Sequence, residues 1–135
     1  MPNQKLNEKY ILYQLLAQNM ESLKQQLEFV GQQLVELKST SLSVEDLEKA
    51  GEKNEIFLPL GSACFCKGMV TERGKILVGI GAGVFVEKDA QEAKSFIERN
   101  FNELEKAGTE IEEQLKSTAG QMNELAAEIQ ELAHG

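Results

Sequence analysis

Two heptad seams of matching length, one near each end of the chain, mirror each other and enclose a stretch that reads as β-strand. The first runs Leu6, Lys9, Tyr13, Leu16, Met20, Leu23, Leu27, Val30, Leu34, Leu37, alternating steps of three and four residues. The second runs Ile97, Phe101, Leu104, Gly108, Ile111, Leu115, Thr118, Met122, Leu125, Ile129, Leu132 in the same rhythm. Such spacing puts one apolar stripe on each helix and asks for a partner stripe. With Leu37 set against Phe101 and the helices antiparallel, every layer closes: Val30 meets Gly108, Leu23 meets Leu115, Tyr13 meets Leu125 and Leu6 meets Leu132; a shift of one heptad also closes the layers, but this register wastes almost no seam. Both chain ends then lie together at one tip. Gly31, next to Val30, and Gly108, opposite it, weaken the same level of the rod, because glycine is a poor helix former.

Between the helices the period changes. Helix one is expected over 3–38, stopped by Ser39-Thr40-Ser41, and a short helix and linker over 43–51 start at a Ser43 N-cap and end at Gly51. From 55 to 88 the chain is dense in Ile, Val, Phe and Gly and reads as four short strands. Gly61-Ser62 and Gly81-Ala82-Gly83 are turn signals, and Glu72-Arg73-Gly74 links the two hairpins. Asp89, three residues before Glu92, opens the second helix, expected over 89–133. The residues 1–135 are thus expected to form a single unit of α+β class: a long antiparallel coiled-coil hairpin with two β-hairpins at its base. Isolated hairpins are marginal in water and leave strand edges unpaired. The apolar side chains Leu58, Leu60, Phe65, Met69, Ile76, Val78, Ile80, Val84 and Val86 therefore read as an oligomerisation surface that joins a β-barrel shared between subunits.

Composition narrows the function classes. The chain has 22 acidic against 14 basic residues, a formal net charge of −8, which argues against a nucleic-acid partner. No apolar run approaches the roughly 20 residues that span a bilayer, so no membrane role is expected and the cytoplasm is the expected compartment. Cys64 and Cys66, the only cysteines, fit thiols in a reducing environment. With His134 as the single histidine, four zinc ligands are not available, and no metal or cofactor is expected. Gly79-Ile80-Gly81-Ala82-Gly83 has the wrong glycine spacing for a dinucleotide loop and is followed by strand pattern rather than helix. No acid, base and nucleophile converge, so the chain is not read as an enzyme.

The two-helix frame, the turn Phe57-Leu58-Pro59-Leu60-Gly61-Ser62 and the segment Val78-Gly79-Ile80-Gly81-Ala82-Gly83-Val84-Phe85-Val86-Glu87-Lys88 closely resemble the alpha class of prefoldin subunits over nearly the whole chain. The resemblance implies a hetero-hexamer of two alpha and four beta-class subunits, a double β-barrel bearing six coiled-coil arms. It further implies an ATP-independent chaperone that holds unfolded client proteins at the arm tips and delivers them to a group II chaperonin.

The residues at the tip point the same way independently. Tyr10, Ile11, Leu12 and Leu15 put apolar groups nearly all round the first helix, beyond what a two-helix seam can cover. With Leu6, Met122, Leu125, Ile129 and Leu132 they make an apolar end rimmed by Glu8, Glu21, Glu124, Glu128 and Glu131, which reads as a client-binding tip. The competing reading is a structural coiled-coil adaptor or scaffold subunit, whose tip docks one fixed partner.

Overall fold

The computed structural model describes residues 2–50, 54–72 and 74–134. The order of elements is α1 (Pro2–Lys49), β1 (Glu55–Gly61), β2 (Cys64–Met69), β3 (Ile76–Gly81), β4 (Val84–Lys88) and α2 (Ala90–His134). Two compact units share these elements. One holds residues 1–34 and 103–135; the other holds 35–102.

In the first unit the paired helices are antiparallel, as two contacts require. The Lys9 ammonium pairs with the Glu128 carboxylate. Further along, a Cβ at Gly108 would stand 3.4 Å from a Val30 methyl and 4.0 Å from one of Leu27. As residue numbers rise on α1 they fall on α2, in the register that sets Val30 against Gly108. The positions withdrawn from solvent on both helices are those of the two seams, with Leu23, Val30, Thr118, Leu125 and Ile129 the most deeply covered.

In the second unit the expected break after Lys38 does not occur: α1 runs on without interruption through Ser39-Thr40-Ser41 to Lys49. The separate short helix over 43–51 is thereby corrected to the last turns of α1, and its stop at Gly51 lies outside the described residues. The hydroxyls that suggested a boundary turn back on their own helix instead. Thr40 Oγ1 donates to the Glu36 carbonyl at 2.8 Å and Ser43 Oγ to the Ser39 carbonyl at 3.1 Å, an arrangement that lets Ser and Thr sit inside a helix. What favours continuation is burial one turn later. Val44 is covered by Ala90 and Ile97, with Leu37 and Ile76 packed around them. Ala93 has no exposed surface, so α1 and α2 approach closely in this unit.

Asp89 starts α2 as its N-cap, its Oδ1 accepting from the Glu92 N–H at 2.7 Å. One turn in, Lys94 forms an ion pair with Glu48 of α1. The hydrogen bond to Glu48 raises the Lys94 pKa above its ordinary value; partial desolvation opposes this, while the charges of Glu48 and Glu45 add to it. A raised lysine pKa contributes stability that is complete below the unfolded value and lost as pH climbs through the folded one. Lys94→Gln is expected to lower the melting temperature at pH 8, and the difference from the wild type is expected to shrink as pH climbs beyond the ordinary lysine value of about 10.4. Thermal melts across that range check this.

The four strands form two separate two-stranded antiparallel sheets, β1 with β2 and β3 with β4. Each carries a register shift just before its turn, between Pro59 and Gly61 and between Gly79 and Gly81. Each also covers a glycine with a large neighbour across the strands. The Leu58 side chain lies over Gly68 and the Phe85 ring over Gly79, where a Cβ would come within 2.7 Å and 3.1 Å of them. A side chain at either glycine would push that neighbour away. The first turn places Ser62 and Ala63 at φ 51° and 61°, a geometry that disfavours residues with a Cβ. Ala63→Gly is expected to stabilise the chain by about 1 kcal/mol, seen as a higher urea midpoint.

Candidate interaction surfaces

The residues assigned to oligomerisation fall on both faces of the hairpins. Leu58, Leu60, Phe65, Met69, Ile80, Val84 and Val86 are exposed, whereas Ile76 and Val78 are half-buried. Ile76 packs on the Val44 cluster, so one face of the second hairpin is tied to the helices of its own unit. Its opposite face, carrying Leu77 and Phe85, is open. In the first hairpin, Phe57, Phe65 and Met69 share one exposed face through the pairs Phe57 with Lys67, Pro59 with Phe65 and Glu55 with Met69. Phe57, Leu77 and Phe85 were not among the expected surface residues. Strand alternation around Leu58, Val78 and Val84 was the signal that could have placed them there. Every strand is an edge strand of a two-stranded sheet, with apolar side chains on view.

The tip residues divide. Tyr10, Ile11, Leu12 and Leu15 are exposed, Ile11 at 58 % and Leu15 at 56 %. Leu125 and Ile129, at 7 % and 9 %, are instead closed into the seam, and Leu6, Met122 and Leu132 are half-buried there. The reason is the heptad itself, since these five are a and d positions and spend their surface on the partner helix. The open apolar surface at this end of the first unit therefore belongs to α1. Its carboxylates Glu8, Glu124, Glu128 and Glu131 are exposed, and Glu128 holds Lys9. Further along α1, Phe29, Val35 and Leu42 are also exposed apolar residues that heptad reading alone passed over. Val35 and Leu42 are one heptad apart and share a side of the helix.

Cys64 and Cys66 are exposed free thiols on one face of β2, Cys64 Sγ lying 3.6 Å from the Ser62 carbonyl. Among the described residues no group of three or more His, Cys, Asp and Glu could hold a metal ion, and no helix is long and apolar enough to cross a membrane.

Long helices with an apolar antiparallel seam, joined through two hairpins with open edges, are matched by a family model described as a prefoldin subunit over residues 16–135. The chain belongs to the prefoldin family. It is 32 % identical over 132 residues to the prefoldin subunit alpha of Pyrococcus horikoshii, covering 97 % of this chain and 84 % of that protein. To the prefoldin subunit alpha of Methanococcus aeolicus it is 26 % identical over 129 residues, 96 % of this chain and 88 % of that one. These relatives place it in the alpha class, in agreement with the resemblance carried by its hairpin segments. A chain in the cryo-EM structure of filamentous PFD from Methanocaldococcus jannaschii shares the fold, with a TM-score of 0.75, 21 % identity and coverage of 90 % of this chain and 98 % of that chain. Membership of the prefoldin family supports a role as a chaperone subunit.

Proposed function

We propose that this prefoldin chain is an ATP-independent holdase subunit that captures non-native proteins on the apolar outer surface of α1 around Tyr10, Ile11, Leu12 and Leu15. The observation that carries the reading is that these side chains stand outside the seam and are exposed together on neighbouring turns of one helix. An exposed apolar surface of this kind gains by burying apolar groups of another chain, and a client without fixed structure can supply them at many points along its length. One such surface binds weakly; several on one assembly bind far more tightly, because later contacts are intramolecular. The hairpins suit such an assembly, since both sheets offer unpaired edges and open apolar faces for neighbouring subunits to cover. In this proposal four beta-class subunits and two copies of this chain close the sheets into a shared barrel in the cytoplasm. The complex then passes clients to a group II chaperonin.

The test assembles the chain with a beta-class subunit and follows light scattering of several unrelated denatured proteins. The wild type is expected to suppress their aggregation, and the double variant Leu12→Ser/Leu15→Ser to need roughly tenfold more complex for the same effect, with the mass of the complex unchanged. Protection confined to a single protein would identify a fixed-partner adaptor instead.

A further inference from the structure

We infer that the client segments bound here are apolar stretches interspersed with lysine or arginine, held along one flank of the paired helices where the apolar surface of α1 meets a row of carboxylates on α2. The inference rests on the proposed holding role and names the chemistry of its substrate.

The flank follows from the seam. Counting heptads with Leu6 and Tyr13 at a and Lys9 and Leu16 at d, Leu12 stands at g and Leu15 and Glu8 at c. On α2, with Ile129 at a and Leu125 and Leu132 at d, Glu128 stands at g and Glu124 and Glu131 at c. In an antiparallel pair the g side of one helix faces the g side of the other, with the c positions next outward. The ion pair between Lys9 and Glu128 marks this side of the seam and this level. Leu12 and Leu15 thus form one bank and Glu124, Glu128 and Glu131 the other. The opposite flank has no such charge: Tyr10 on α1 and Ala119, Ala126 and Ala133 on α2 occupy its e positions.

The charge on this flank is only partly balanced from within: Lys5, at g one heptad before Leu12, and Lys9 stand against the four carboxylates of Glu8, Glu124, Glu128 and Glu131. Lys9 is engaged by Glu128, while Glu8, Glu124 and Glu131 make no ion pair among the described residues. Around the apolar residues on α1 the neighbours are Glu8, Gln14, Gln18 and Asn19. The imbalance extends along the unit, because α2 from Glu103 onward carries eight carboxylates against Lys106 and Lys116. Positions separated by less than the ~8 Å screening length at physiological salt feel each other's charge. A segment that buries apolar groups against Leu12 and Leu15 therefore brings its other side chains into a negative field, which favours cations and disfavours carboxylates.

The probes are two fluorescent peptides with identical leucines and phenylalanines, one with lysine between them and one with glutamate, titrated against the full chain at about 50 mM and 500 mM salt. The lysine peptide is expected to bind roughly tenfold more tightly at low salt, with the gap closing at high salt and in the variant Glu8→Gln/Glu124→Gln/Glu131→Gln. Equal affinities that Leu12→Ser/Leu15→Ser abolishes would overturn the charge preference and leave the holding role standing. Affinities of both peptides indifferent to Leu12→Ser/Leu15→Ser would overturn the surface itself. A lysine preference that survives the triple glutamine variant would place the cations elsewhere and also overturn the inference. Circular dichroism of each variant confirms that the helices are intact.

Discussion

Val44→Asp is expected to cost about 4 kcal/mol of stability. Val44 is 5 % exposed and lies with Ala90 and Ile97 at the centre of the cluster that joins the last turns of α1, the first turns of α2 and Ile76 of β3. A carboxylate there loses its water, and the surrounding groups are apolar. Charge nearby makes the case worse: Glu48 stands one helical turn on, and its Lys94 partner is already engaged. The loss is comparable with the whole stability of many domains, about 5–15 kcal/mol. Val44→Ile, which keeps the site apolar, is expected to cost less than about 1.5 kcal/mol. Urea melts read the totals. Hydrogen exchange in the second hairpin locates the damage, because Ile76 ties that hairpin to the cluster, to which no residue of β1 or β2 belongs among the described residues. Protection lost evenly across both hairpins would mean that the cluster does not serve as the anchor of β3 and β4.

The same cluster explains why one boundary was illegible in the sequence. The seams were readable because each position reports its own environment: an apolar residue at a or d is in contact with the partner helix or the helix is not a coiled coil. The hairpins were readable for a similar local reason, since Gly61, Gly81 and Gly83 adopt the positive φ that their turns need. Ser39, Thr40 and Ser43 carry no such local decision. A hydroxyl can cap a helix or bond back to the carbonyl four residues earlier, and both are low in energy. The choice is made by Val44 meeting Ala90 and Ile97, more than forty residues away in sequence, and no local pattern contains that contact. The tip illustrates a second limit. Leu125 and Ile129 are apolar and lie at the level of Leu12, yet a residue spent on the seam has little surface left to offer. Heptad position separates the two cases: Ile11, Leu12 and Leu15 stand off the seam and are exposed.

Replacing Gly31 and Gly108 by alanine together is expected to stabilise the chain by about 2 kcal/mol and to raise its melting temperature by roughly 6 °C. Neither glycine is required by sterics. A Cβ at Gly31 meets nothing within 4 Å, and one at Gly108 would make ordinary contact with Val30 and Leu27. Each alanine therefore removes a glycine's backbone entropy cost, and that at Gly108 also fills space beside Val30. The two glycines flank one level of the paired helices, so the cost they impose is concentrated where the rod is easiest to loosen. Gly120→Ala provides the comparison, because Gly120 is another α2 glycine with room for a methyl but lies at a different level. It is expected to add about 1 kcal/mol. If loosening at the Val30 level helps the arm accommodate clients, the double variant loses protection of large clients while Gly120→Ala, stabilised in the same way at a different level, does not. Equal protection by the wild type and both variants would show that the glycines of this level are tolerated rather than used.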